Sequence, residues 1–128
     1  MDKIWNYKNF NMVVELDVSG EFIYNGIHEI NRLTGFSNDG ATFSALYSLA
    51  VGIERLQKIV CVLWGMDCFD DEEAFESSLI THSHTGLRDK VNEFLERKGE
   101  SISFSARENE FLLLLTHFYN SARYIRFN

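Results

Sequence analysis

Residues 41–66 read ATFSALYSLAVGIERLQKIVCVLWGM, and this stretch decides the fold. Phe43, Leu46, Ala50, Ile53, Val60 and Trp64 recur at helical spacing and form one apolar face. Tyr47, Leu49, Val51, Leu56, Ile59 and Leu63 carry apolar character most of the way round. Only Ser44, Ser48, Glu54, Arg55, Gln57 and Lys58 interrupt it. A helix apolar on nearly every side belongs in the middle of a bundle. Gly65 and the acids beyond it end the segment. Its longest unbroken apolar run, residues 59–64, is far too short to cross a bilayer, so no membrane association is expected.

Toward the N-terminus, Phe22, Ile23, Ile27, Ile30 and Leu33 predict an amphipathic helix over about residues 21–34, capped by Ser19 and stopped by Gly35. Residues 1–18 lack helical period. The alternation in the second half of residues 12–18 predicts an extended arm or short strand, broken by Ser19 and Gly20. Residues 37–40 read as a loop with N-cap chemistry.

Toward the C-terminus, residues 67–76 carry Asp67, Asp70, Asp71, Glu72, Glu73 and Glu76. These acids suit a solvated loop entering a short helix over about 71–80, whose N-terminal dipole favours negative charge. Their spacing does not match a calcium loop. Thr85 or Gly86 opens another helix, with Leu87, Val91, Phe94 and Leu95 as its stripe and Gly99 as its stop. Ser105 and Glu108 form a capping box ahead of a last helix over 106–123, lined by Phe111, Leu112, Leu114, Leu115, Phe118, Tyr119 and Ala122. The expected fold is therefore all-α: one domain spanning 1–128, an antiparallel bundle of four to five helices around a central buried helix, with an N-terminal arm. The apolar ending at residues 123–128 suits a chain that continues past Asn128.

Composition agrees. The chain has 128 residues, enough for one core, and no proline, which favours long helices. The net charge of −7 opposes a general nucleic-acid coat but not a local basic pocket; it suits solubility or inhibition of a basic partner. Cys61 and Cys68 form no C-x-x-C pair, and no basic-then-apolar leader opens the chain, so a reducing, cytoplasmic setting is expected.

Three constellations carry chemistry. Glu54 reaches Lys58 at i+4, and Arg55 is placed to face a carboxylate on a neighbouring helix; both are structural ion pairs or parts of a site. His82 and His84 precede Arg88 at a helix start, where His84 caps and bonds backbone, acts as acid or base, or meets a partner. At the C-terminus, Tyr119, Arg123, Tyr124 and Arg126 interleave rings with guanidinium groups that suit phosphate and bases. Arg123 alternatively pairs with a core carboxylate such as Glu54. No glycine-rich phosphate loop, zincin motif or nucleophile elbow is present, and neither a metal nor a cofactor is expected.

Residues 46–59, residues 82–87, and Phe118-Tyr119-Asn120 with Arg123-Tyr124 together resemble the HEPN superfamily of bacterial helical-bundle proteins. The resemblance covers about residues 41–126. It implies a dimeric bundle of the kind found in toxin–antitoxin and anti-phage defence systems. Active members are metal-independent RNases with an Arg-x4-6-His motif. Here no arginine precedes a histidine by that spacing; Arg107 and His117 have nine residues between them. The resemblance therefore implies a non-catalytic module that binds RNA or a protein partner in bacterial defence or stress response. The expected binding residues are Arg123, Arg126, Tyr119, Arg88 and His84. The alternatives are a divergent RNase using His84, His82 and Arg123, and an acidic immunity protein that covers a basic toxin.

Overall fold

A computed structural model describes residues 11–35 and 39–124, with side chains through Ser121. Among the described residues there is no strand. The helices are α1 (Met12–Arg32), α2 (Asp39–Gly65), α3 (Glu72–Ser78), α4 (His84–Arg97) and α5 (Ala106–Tyr124), with one 3-10 turn at Met66–Cys68. This is the all-helical bundle that the periodicity predicts.

Helix α2 sits at its centre. On one side α1 lies antiparallel and very close, because glycines meet it. A Cβ on Gly26 would stand 2.6 Å from Leu49 Cγ, and one on Gly52 would stand 3.0 Å from the Ile23 backbone nitrogen. Met12 closes the far end against Ile59, Val62, Met66 and Phe75. Helix α5 is also antiparallel to α2, with Leu115 fully buried on Leu49 and Ala50. Helix α4 runs parallel to α2: His84 bonds Ala50, and Cys61 meets Leu87 and Val91 further along both helices. The 3-10 turn and α3 provide the return leg that makes this direction possible.

The N-terminal half of α1 corrects the sequence reading. Residues 12–18 are helical, not extended, and Ser19 and Gly20 do not break them. The buried positions on α1 are Met12, Ser19 and Gly26, seven apart. Ser19, expected as a cap, is 1 % exposed inside the helix, and its hydroxyl donates to the Leu16 carbonyl. Around Ser19 the small residue is buried while Val13, Val14 and Leu16 face water, so a reading that takes bulk as the mark of a buried face inverts this turn. Ile27 and Leu114, assigned to buried stripes, are 51 % and 50 % exposed. The arm over residues 1–10, the loop residues 37 and 38 and the tail beyond Tyr124 lie outside the described residues.

Other local readings hold. Asp71 caps α3 through the Glu73 and Ala74 amides. The Ser105 and Glu108 side chains each accept from the other's backbone amide, the expected capping box, and the Ser105 amide, followed by the Ser105 hydroxyl, holds the Glu108 carboxyl below its ordinary pKa. Gly99 follows α4 at φ 78°, the left-handed conformation that glycine adopts without penalty. No helix among the described residues is long and apolar enough to cross a membrane.

Candidate functional cleft

The polar breaks in α2 gather at one place. Glu15 of α1, Tyr47, Glu54, Arg55 and Lys58 of α2, His82 ahead of α4 and Tyr119 of α5 line a cleft of about 600 Å³. Tyr47, Val51, Glu54, Arg55 and Lys58 follow one another at helical spacing, so a single stretch of α2 forms its floor.

Glu54 organises the cleft. It is 9 % exposed, and a carboxylate that buried needs partners. Its Oε1 accepts from His82 Nδ1–H at 2.7 Å, and Lys58 Nζ stands 3.7 Å from Oε2. The carboxylate thereby fixes the imidazole tautomer and leaves the Nε2 edge without a partner among the described residues. The His82 side chain is 40 % exposed, and its ring stacks on Tyr119 with centroids 4.7 Å apart. Tyr119 in turn stacks on Tyr47 at 6.3 Å. At the rim, Arg55 Nη1 donates to both oxygens of Glu15, at 2.9 and 2.7 Å. This is the neighbouring-helix carboxylate expected for Arg55, on a segment expected to be extended.

The two histidines of the 82–87 stretch have opposite situations. His84 is 0 % exposed. Its Nε2–H donates to the Ala50 carbonyl at 2.7 Å, and its Nδ1 has no partner among the described residues. Burial lowers its pKa, while the Ala50 carbonyl and the Glu54 charge pull the other way. Its backbone carbonyl accepts from Gln57 and its amide donates to Thr116, so it ties α4 to α2 and α5. It opens α4, whose cap is Ser83 bonding the Gly86 amide. No substrate reaches it there.

Of the residues singled out in the sequence, the cleft unites Tyr119, His82, Glu54, Arg55 and Lys58. Arg88 is elsewhere: it bonds Asp89 and Asn109 and joins α4 to α5. The Arg123 side chain and Arg126 lie outside the described residues, and Glu54 takes His82 and Lys58 as partners. Among the described residues no three His, Cys, Asp or Glu side chains gather as metal ligands. Glu15 and Tyr47 were not anticipated as parts of a site. Tyr47 was detectable, because it stands two turns before Glu54 on the same face. Comparisons with protein-family models, with curated proteins and with solved structures give no match for this chain.

Proposed function

We propose that the chain is a HEPN-like helical module that binds single-stranded RNA in the cleft over α2. The observation that carries this reading is the run of stacked rings, His82 on Tyr119 on Tyr47, beside Lys58 and Arg55 in one opening. Ring faces hold bases without sequence preference, and cations beside them hold the connecting phosphate. The cleft lies within the size range of small-molecule sites, which suits one or two nucleotides rather than a long strand. Arg55 is held by Glu15 in a pair with 39 % and 37 % side-chain exposure. Such pairs are worth about 0–1 kcal/mol, so a phosphate exchanges for Glu15 at little cost. With only about two phosphate contacts, log Kd changes with log salt by a slope of roughly 1.4. The bacterial-defence setting rests on the family resemblance alone.

The test is fluorescence anisotropy with a short labelled oligouridylate and the whole chain. Tyr119→Ala and Lys58→Gln weaken binding by about tenfold or more, since each stacked base is worth about 1–3 kcal/mol. Arg123→Ala with Arg126→Ala weakens it further if the C-terminal arginines extend the phosphate track. Unchanged affinity in the Tyr119 and Lys58 variants rejects the assignment.

The bond from Glu54 to His82 favours a second reading, metal-independent RNA cleavage. His82 Nε2 would take the proton from a ribose 2′-hydroxyl as O2′ bonds to phosphorus. The P–O5′ bond then breaks, and the departing oxygen takes its proton from the imidazolium, leaving a 2′,3′-cyclic phosphate and a 5′-hydroxyl. Under this reading His82→Ala loses, even at saturating RNA, cleavage that EDTA does not inhibit, a loss beyond any weakening of binding. Intact RNA after prolonged incubation with the wild-type chain leaves binding alone.

A further inference from the structure

Stacking on ring faces and attraction to cations are common to RNA and DNA, since both strands offer bases and a charged backbone. A preference for one of them needs a group that meets the sugar, because only ribose carries a 2′-hydroxyl. His82 is placed to be that group. Its Nδ1 stands 2.7 Å from Glu54 Oε1. A carboxylate only accepts, so Nδ1 carries the hydrogen, and in the neutral ring Nε2 is then a lone-pair acceptor. The stack on Tyr119, with centroids 4.7 Å apart, sets the plane in which that lone pair lies. Contacts from α2 and from α5 therefore fix the direction of one acceptor, on a half-exposed side chain that lines the cleft.

Its neighbours in the cleft do not match it. Lys58 and Arg55 donate and have no acceptor atom. The Glu15 carboxylate is held by Arg55, and Glu54 faces Lys58 and His82. The Thr81 hydroxyl oxygen already accepts from the Ser83 amide. Tyr47 and Tyr119 are stacked on each other, and a phenol oxygen is a weaker acceptor than an imidazole nitrogen. Glu76 is exposed at the wall of the cleft. A ribose 2′-hydroxyl lies beside its own 3′-phosphate, however, where a carboxylate is repelled and a neutral nitrogen is not.

We propose that His82 Nε2 accepts a hydrogen bond from the 2′-hydroxyl of a nucleotide bound in the cleft, and that this bond makes the cleft select RNA over DNA. The inference rests on the RNA-binding reading and adds the group that reads the sugar. Because Glu54 and Tyr119 already hold the ring, the bond forms without immobilising a free side chain. Against deoxyribose the nitrogen is covered by the strand and left without a donor, which is the costly case for a polar atom. The bond serves selection whether or not the hydroxyl is ever turned into a nucleophile.

Fluorescence anisotropy of the whole chain at about pH 8, above the ordinary imidazole range, tests it. The probes are labelled oligouridylates of one length with ribose, 2′-deoxyribose or 2′-fluoro sugars; the 2′-fluoro strand keeps the ribose pucker and lacks the donor. The ribose strand is expected to bind at least about fivefold more tightly than the other two, which bind alike. His82→Phe keeps a ring to stack on Tyr119 and has no acceptor. With its fold confirmed by circular dichroism, it brings the ribose-to-deoxyribose affinity ratio to about one. The wild-type series decides the matter even if that variant does not fold. Equal affinity for the ribose and deoxyribose strands overturns the inference and leaves nucleic-acid binding standing. No binding of any strand rejects the RNA-binding reading and the inference with it. A 2′-fluoro strand bound as tightly as the ribose strand, or a ratio that His82→Phe leaves unchanged, also overturns the inference.

Discussion

Replacing Gly52 by alanine sets helix propensity against packing. Alanine is about 1 kcal/mol better than glycine in a helix interior, so propensity alone predicts stabilisation. The new methyl would stand 2.7 Å from Ile23 Cγ1, 3.0 Å from the Ile23 backbone nitrogen and 3.0 Å from Phe22 Cβ. The Ile23 side chain can rotate away, but the other two atoms retreat only if α1 moves as a body. Overpacking typically costs about 1–3 kcal/mol, and backbone obstruction puts this site in the upper half of that range. The net effect is a loss of about 1–2 kcal/mol, or roughly 4–8 °C in Tm for a chain of this size. Gly20→Ala is the control, since it gains about 1 kcal/mol of propensity and its methyl meets nothing within 4 Å. Thermal and urea melts followed by circular dichroism, at concentrations where the chain is monomeric, read both. If Gly52→Ala stabilises as Gly20→Ala does, α1 does not rest on α2 in this register, and the reasoning fails.

Glu15→Gln releases Arg55 at the cleft rim; stability changes by less than about 1 kcal/mol, while RNA affinity by anisotropy rises rather than falls. Burial pushes the Cys61 thiol up to about 11, so it stays protonated and inert at neutral pH, and an Ellman titration of the native chain finds Cys68 reactive with Cys61 joining only on unfolding. Burial likewise lowers the His84 pKa from its ordinary 6.5. Below that ordinary value the unfolded chain takes up a proton that the folded chain refuses, so His84's stabilising contribution is intact above about 6.5 and declines as pH falls toward the lowered native value. Tm measured downward through that window falls less steeply in His84→Gln, whose amide also donates to a carbonyl and does not titrate.

The central helix was legible because its apolar residues are large and continuous. The Ser105–Glu108 box, Gly99 and the Arg55 pairing were legible because each needs only local spacing or one missing partner. The first half of α1 was not. Its buried positions are Met12 and Ser19, the second a residue that favours caps over helix interiors, while Val13, Val14 and Leu16 point outward. Tertiary packing overrides propensity there, and no local rule anticipates it. Glu54, His82 and Tyr119 were each noticed, but as parts of three separate constellations. Their convergence follows from the return leg through α3, which brings the start of α4 back beside the middle of α2. For the same reason sequence alone could not separate His82 from His84. Two residues apart, one ends an exposed lead and the other begins a buried helix.

The most direct test of the cleft is ¹⁵N-detected NMR of the imidazoles during titration with a short single-stranded RNA. The account predicts that the His82 resonances move with occupancy while those of buried His84 stay in place, and that Tyr119→Ala abolishes the His82 response. His82 unmoved at saturating RNA, with perturbation confined to His28 or His117, contradicts it.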